Sequence, residues 1–128
     1  MNKLFLKEDV LNTDFLFGQL WEISVDGMRL TDDEGNIILV NDSFCKIFNM
    51  QKNQLVGKPF SVVYSYPEQE SALQSYQRDL RNNELKTFFE RETTLWDGRK
   101  TWLEFSNSFL TLKDEKKISW FAVYPHRA

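Results

Sequence analysis

Residues 28–58 run Met28-Arg29-Leu30-Thr31-Asp32, Asp33-Glu34-Gly35-Asn36, Ile37-Ile38-Leu39-Val40, Asn41-Asp42-Ser43-Phe44 and, at the far end, Leu55-Val56-Gly57-Lys58. The pattern predicts a strand, a tight hairpin turn, a second strand and a helix that follows without a linker. Gly35 and Asn36 are expected to supply the positive-φ tolerance of the turn, with Asp33 and Glu34 keeping it solvated. Asn41 is an N-cap type of residue, and Asp42 and Ser43 suit the first helical turn after it. Gly57 stops the next short helical piece, and Pro59 opposes its continuation.

Outward from this block the chain has the size and balance of one soluble domain. Its 128 residues suffice to bury a core. With 41% hydrophobic and 27% charged residues it falls among globular rather than disordered chains. Eleven Phe and four Trp make that core bulky. A net charge of −3 lacks the basic excess of nucleic-acid binders. No apolar run approaches the roughly 20 residues that span a bilayer. Lys7, Glu8 and Asp9 cut the apolar start of the chain short of a signal peptide. One cysteine excludes an internal disulfide and a thiolate metal cage. A cytoplasmic location is the expectation.

Residues 1–13 carry no strong pattern and are expected to form a flexible arm. Asp14 is placed to cap a flanking helix over 14–23, in which Phe15, Leu16, Phe17, Leu20, Trp21 and Ile23 spread around most of the circumference. A helix apolar on most sides cannot satisfy itself against one sheet face. Either it packs under the domain's own sheet, or Phe15, Leu16, Phe17, Leu20 and Trp21 form a subunit contact. Past the hairpin, Phe44, Ile47 and Phe48 make one apolar helix face. Asn53–Val56 reads as a short turn. Pro67 opens a longer helix to Asn82, with Ala72 or Leu73, Tyr76 and Leu80 inward. Three strands follow: 86–96, the Asp97-Gly98 turn, 99–112, a charged loop, and 118–124. Consecutive strands rather than βαβ repeats predict an α+β fold: a five-stranded antiparallel sheet with helices on one face and an N-terminal flanking helix.

Catalytic signatures are sparse. The five glycines sit at turns and ends rather than in a phosphate loop. The only histidine, His126, lies in the tail 126–128 and reads as solvated. Asp32 with Asp33, and Glu90 with Glu92, read as solvated charges, so no catalysis is expected. Cys45 reads as a small, partly buried helix residue, with a redox-responsive thiol as the alternative. Trp96, Trp102 and Trp120 are placed for cross-strand aromatic contacts or for an outward docking face.

From about Trp21 to about Tyr124 the chain resembles a PAS domain, the domain proper being taken as 24–125. The resemblance rests on the order of Ser24-Val25-Asp26-Gly27, the Asp32–Gly35 turn, Val40-Asn41, Leu55–Lys58, Asp97-Gly98 and Trp102. It implies a sensory and interaction module whose sheet cups the long helix around a small-molecule ligand. On that pattern Met28, Leu30, Asn41, Phe44, Tyr76, Leu80 and Trp102 are candidate lining residues. Filling of the cup by the protein's own aromatic side chains is the competing expectation. The resemblance also bears on cofactors. The long helix has no histidine to hold haem, and Cys45 lies outside the Asn-Cys-Arg-Phe-Leu type of segment used by flavin photosensors, so both are disfavoured and no cofactor is assigned.

The resemblance departs at the end, where Val123-Tyr124-Pro125 stands in place of an Asp-Ile-Thr coupling segment. The chain is then either a fragment of a larger signalling protein or a module working in trans; Leu20–Lys58 is most similar to bacterial sensor histidine kinases and favours the fragment. The expectation is a non-enzymatic sensor domain, homodimeric, passing its signal to a downstream effector. Its rivals are a ligand-free dimerisation scaffold and a small curved-sheet enzyme with a buried carboxylate base, for which Glu104 is the candidate.

Overall fold

The computed structural model describes residues 13–125. The arm expected over 1–13, apart from the helix's first residue, and the tail 126–128 with His126 lie outside the described residues. The elements in order are α1 (Thr13–Ile23), β1 (Gly27–Thr31), β2 (Ile37–Val40), α2 (Asp42–Phe48), α3 (Lys52–Leu55), a 3₁₀ turn (Phe60–Val63), α4 (Tyr66–Arg81), β3 (Phe88–Thr94), β4 (Lys100–Thr111) and β5 (Lys117–Pro125). The strands form a single antiparallel sheet in the order β2-β1-β5-β4-β3. The expected α+β architecture is thus the observed one, with strand and helix limits shifted by one or two residues.

The opening hairpin forms by a different route from the expected one. Gly35 takes a φ of +94°, but Asn36 does not enter the left-handed region. Instead the Asp32 carboxylate accepts from the backbone N–H groups of Glu34 at 3.0 Å and Asn36 at 2.9 Å, so a side chain closes the turn. Gly27 serves close packing. A Cβ there would stand 2.9 Å from the Cα of Phe44, which brings α2 directly onto β1.

Pairing register decides the two faces of the sheet. Arg29 stands opposite Phe121, Phe121 opposite Asn107, and Phe105 opposite Phe89 and Val123. These residues therefore share the inner face. There the main core gathers Phe44, Phe48, Leu55, Val63, Leu95, Leu103, Phe105 and Val123, all fully buried. The outer face carries Met28, Leu30, Ile118 and Trp120, against which α1 packs Trp21. Both faces of β1 are covered.

One residue ties these layers together. Asn41, completely buried, caps α2 through its Oδ1, which accepts from Phe44 N at 3.0 Å and from Met28 N at 2.9 Å. Its Nδ2 donates to the carbonyls of Trp21 at 2.8 Å and Asp26 at 3.0 Å. A single amide thus joins the end of α1, the loop after it, β1 and α2. At the other end of α2, Trp96 in the β3–β4 turn donates from Nε1 to the Phe48 carbonyl at 2.7 Å.

Candidate functional site

Between α4 and the inner face of β3 lies a cavity of about 630 Å³, open to solvent along one side. That is within the range of about 300–1,000 Å³ usual for small-molecule sites. Small side chains on α4, namely Ser71, Ala72 and Ser75, keep the helix from filling the gap. Phe60, Tyr64, Phe89 and Phe121 supply aromatic walls, and Thr93 and Asn107 add polar groups. Charges of both signs surround the opening: Glu68, Asp79, Glu90 and Glu92 with Arg78, Lys86 and Arg91.

The floor holds an arginine. Arg29 is only 2% exposed. Its Nε donates to Thr31 Oγ1 at 2.9 Å. Its Cζ stands 4.0 Å from the ring centre of Phe121 and 4.5 Å from that of Phe60, so two aromatic rings hold the cation. Among the described residues no carboxylate lies within ion-pair distance of it. Burial lowers its pKa to about 10, with the phenols of Tyr64 and Tyr76 pulling the other way. It stays a cation at neutral pH.

Tyr76 links this floor to α4. Its hydroxyl donates to the Asp32 carbonyl at 2.9 Å, fixing the helix to the hairpin turn, and Gln77 adds a bond to the Glu34 carbonyl at 3.0 Å. Burial raises the Tyr76 phenol above its ordinary range, against the pull of the Arg29 charge.

Of the seven lining residues expected from sequence, Tyr76 lines this cavity. Met28, Leu30 and Trp102 lie on the opposite face of the sheet. Leu80 is in the main core, and Asn41 and Phe44 belong to the β1–α2 junction. Register places Met28 and Leu30 on the α1 side of β1. An apolar Met28 and Leu30 look inward only if the other face is solvated, and here α1 covers it. The sequence signal for the true floor was a lone arginine at the alternate parity of an otherwise buried strand. Glu104 likewise sits on the outer face, between Glu90 and Tyr124 of the neighbouring strands, and so outside the cup where a catalytic base would act. Cys45 is half-buried on α2, and burial pushes its thiol up, which disfavours the reactive thiolate. Among the described residues no three His, Cys, Asp or Glu side chains are grouped to hold a metal ion.

On α1, Trp21 is buried and Leu16 half-buried, whereas Phe15, Phe17 and Leu20 are at least half exposed. Phe17, Leu20, Trp21, Ile23, Met28 and Trp120 border a shallow apolar groove on this outer side. Among the described residues no helix is long and apolar enough to cross a membrane.

Comparison with known proteins agrees with this architecture. A PAS domain from a two-component sensor histidine kinase superposes with a TM-score of 0.70 at 20% identity, covering 91% of this chain and 99% of that one. The PAS domain of an HTR-like protein from Haloarcula marismortui gives 0.68 at 16% identity, covering 97% and 100%. A third, the PAS domain of a LuxR-family transcriptional regulator from Burkholderia thailandensis in complex with ethanol, gives 0.64 at 15% identity, covering 88% and 98%. No curated protein matches the chain. The sequence model of the PAS fold matches residues 17–124. A match over that span, on a five-stranded sheet cupped around its helices, makes this chain a member of the PAS family of sensory and signalling domains.

Proposed function

We propose that this domain senses a small molecule held between α4 and β3, within a bacterial signalling protein of the sensor histidine kinase type, and that it works as a cytoplasmic homodimer. The observation that carries this reading is the cavity of about 630 Å³, which the abundant aromatic residues border but do not fill. A bound molecule touches α4 on one side and β3 with the sheet floor on the other. It therefore favours one packing of helix against sheet over others, and that bias is the signal. The exposed apolar side chains of Phe15, Phe17 and Leu20 support α1 as the dimer contact. Because Asn41 holds the Trp21 carbonyl, β1 and α1 are coupled, and α1 is the route to a downstream effector.

Native mass spectrometry of the chain, purified from a bacterial host and then offered a metabolite mixture, tests both parts. The reading expects dimers carrying an added small-molecule mass. Dimers that never take up a mass would instead favour a ligand-free scaffold, and monomers at high micromolar concentration would remove α1 as the contact.

A further inference from the structure

We propose that the molecule sensed is a monocarboxylic acid with an apolar body, its carboxylate seated on Arg29. This rests on the ligand-sensing reading above and adds the chemical class. A buried guanidinium has five N–H donors to satisfy. In Arg29, Thr31 takes the Nε–H, and Phe60 and Phe121 cover the charge with their rings. No bond from the Nη groups is found among the described residues, and they are not among the buried atoms left without a partner, so they open onto the cavity that Arg29 lines. A desolvated cation without a counterion is costly, and cation–π contacts offset that only in part. A carboxylate presents two coplanar oxygens that match the two Nη groups, supplying the missing charge and the missing acceptors together.

A second observation points the same way. Thr93, on β3 at the cavity wall, is 2% exposed, and its Oγ1 is buried with no hydrogen-bond partner. Buried hydroxyls are nearly always bonded, so this one awaits a polar atom of a bound molecule. The rest of the acid faces Phe60, Tyr64 and Phe89, which suit an aromatic or aliphatic body. The charge of the ligand is bounded too. Arg29 is the single cation at the floor, so one carboxylate neutralises it, while the rim of the cavity carries charges of both signs.

Isothermal titration of the whole chain with matched acids and amides tests this: 3-phenylpropionate against 3-phenylpropanamide, octanoate against octanamide, and indole-3-acetate against its amide. At least one acid is expected to bind about tenfold or more tighter than its amide, as a charge-assisted pair requires. Arg29→Met is expected to abolish that preference, and Thr93→Val to weaken acid binding about threefold. Acid and amide binding equally, with Arg29→Met without effect, overturns the carboxylate assignment but leaves small-molecule sensing standing. The same holds if only uncharged compounds bind. If neither these probes nor a broad set of neutral compounds binds at millimolar concentration, both readings fall. Should Arg29→Met not fold, the acid–amide comparison on the unmodified chain decides, with Arg29→Lys as the variant that keeps the charge and loses the paired donors.

Discussion

Replacing Asn41 by alanine is expected to lower the unfolding free energy by about 4 kcal/mol, out of a total of roughly 5–15 for a domain of this size. The substitution leaves four backbone groups without their partners: the N–H groups of Met28 and Phe44 and the carbonyls of Trp21 and Asp26. Each lost bond that strands a buried group costs on the order of 1 kcal/mol or more, since no water replaces it. Urea denaturation followed by tryptophan fluorescence reads the change, and a loss under about 1 kcal/mol would mean that water enters the junction. Asn41→Asp sharpens the test through pH. Its second carboxylate oxygen would take the place of Nδ2, facing the Trp21 and Asp26 carbonyls; that repulsion and complete burial outweigh the two N–H groups on Oδ1 and raise its pKa in the folded state above the unfolded value. The folded state then binds the proton more tightly, so this variant gains stability as pH falls from 7 toward 4 and loses it as pH rises. Asn41→Ala, lacking a titrating group there, is not expected to show that trend.

Phe105→Ala is expected to cost about 3–5 kcal/mol, the range for emptying a large aromatic site in a packed core. Phe105 is fully buried on the inner face of β4, between β5 and β3. Its ring stacks on Phe89 at 4.8 Å and leans on Phe121 at 5.3 Å. Truncation removes the surface against which both rings are ordered. Those two rings also wall the cavity, so the new void adjoins the ligand space. The variant is accordingly expected to lose selectivity between small and bulky ligands as well as stability. A cost below about 1.5 kcal/mol would indicate that Phe89 and Phe121 collapse into the space, a response large-to-small substitutions show where neighbours are free to move.

The fold was readable from sequence where one residue type has one physical use. Gly35 marks a positive-φ position, Asn41 a cap, Pro67 the first turn of α4, and a run rich in large apolar residues (Trp102, Leu103, Phe105, Phe109, Leu110) the long β4 strand. The site was less readable, because lining depends on which face a strand turns inward. That parity is ambiguous in β1, where a helix covers each side, Met28 and Leu30 facing α1 and Gly27, Arg29 and Thr31 the inner side. By sequence Met28 and Leu30 are therefore lining candidates, while Arg29, which lines the cavity floor, carries no assignment. Thr93 and Asn107 carried no signal of their own. Their importance arises from β3 and β4 placing them beside the gap left by Ser71, Ala72 and Ser75 on a helix distant in sequence.

The most direct test of the account is an amide correlation spectrum of the isotopically labelled chain, followed during titration with the compound that most raises its melting temperature in a small-molecule screen. The account predicts shifts concentrated at Ser71, Ser75 and Tyr76 on α4, at Arg91 and Thr93 on β3, and at Arg29 and Phe121 on the floor. Shifts confined to α1, Met28 and Trp120, with the α4–β3 cavity silent, would contradict it.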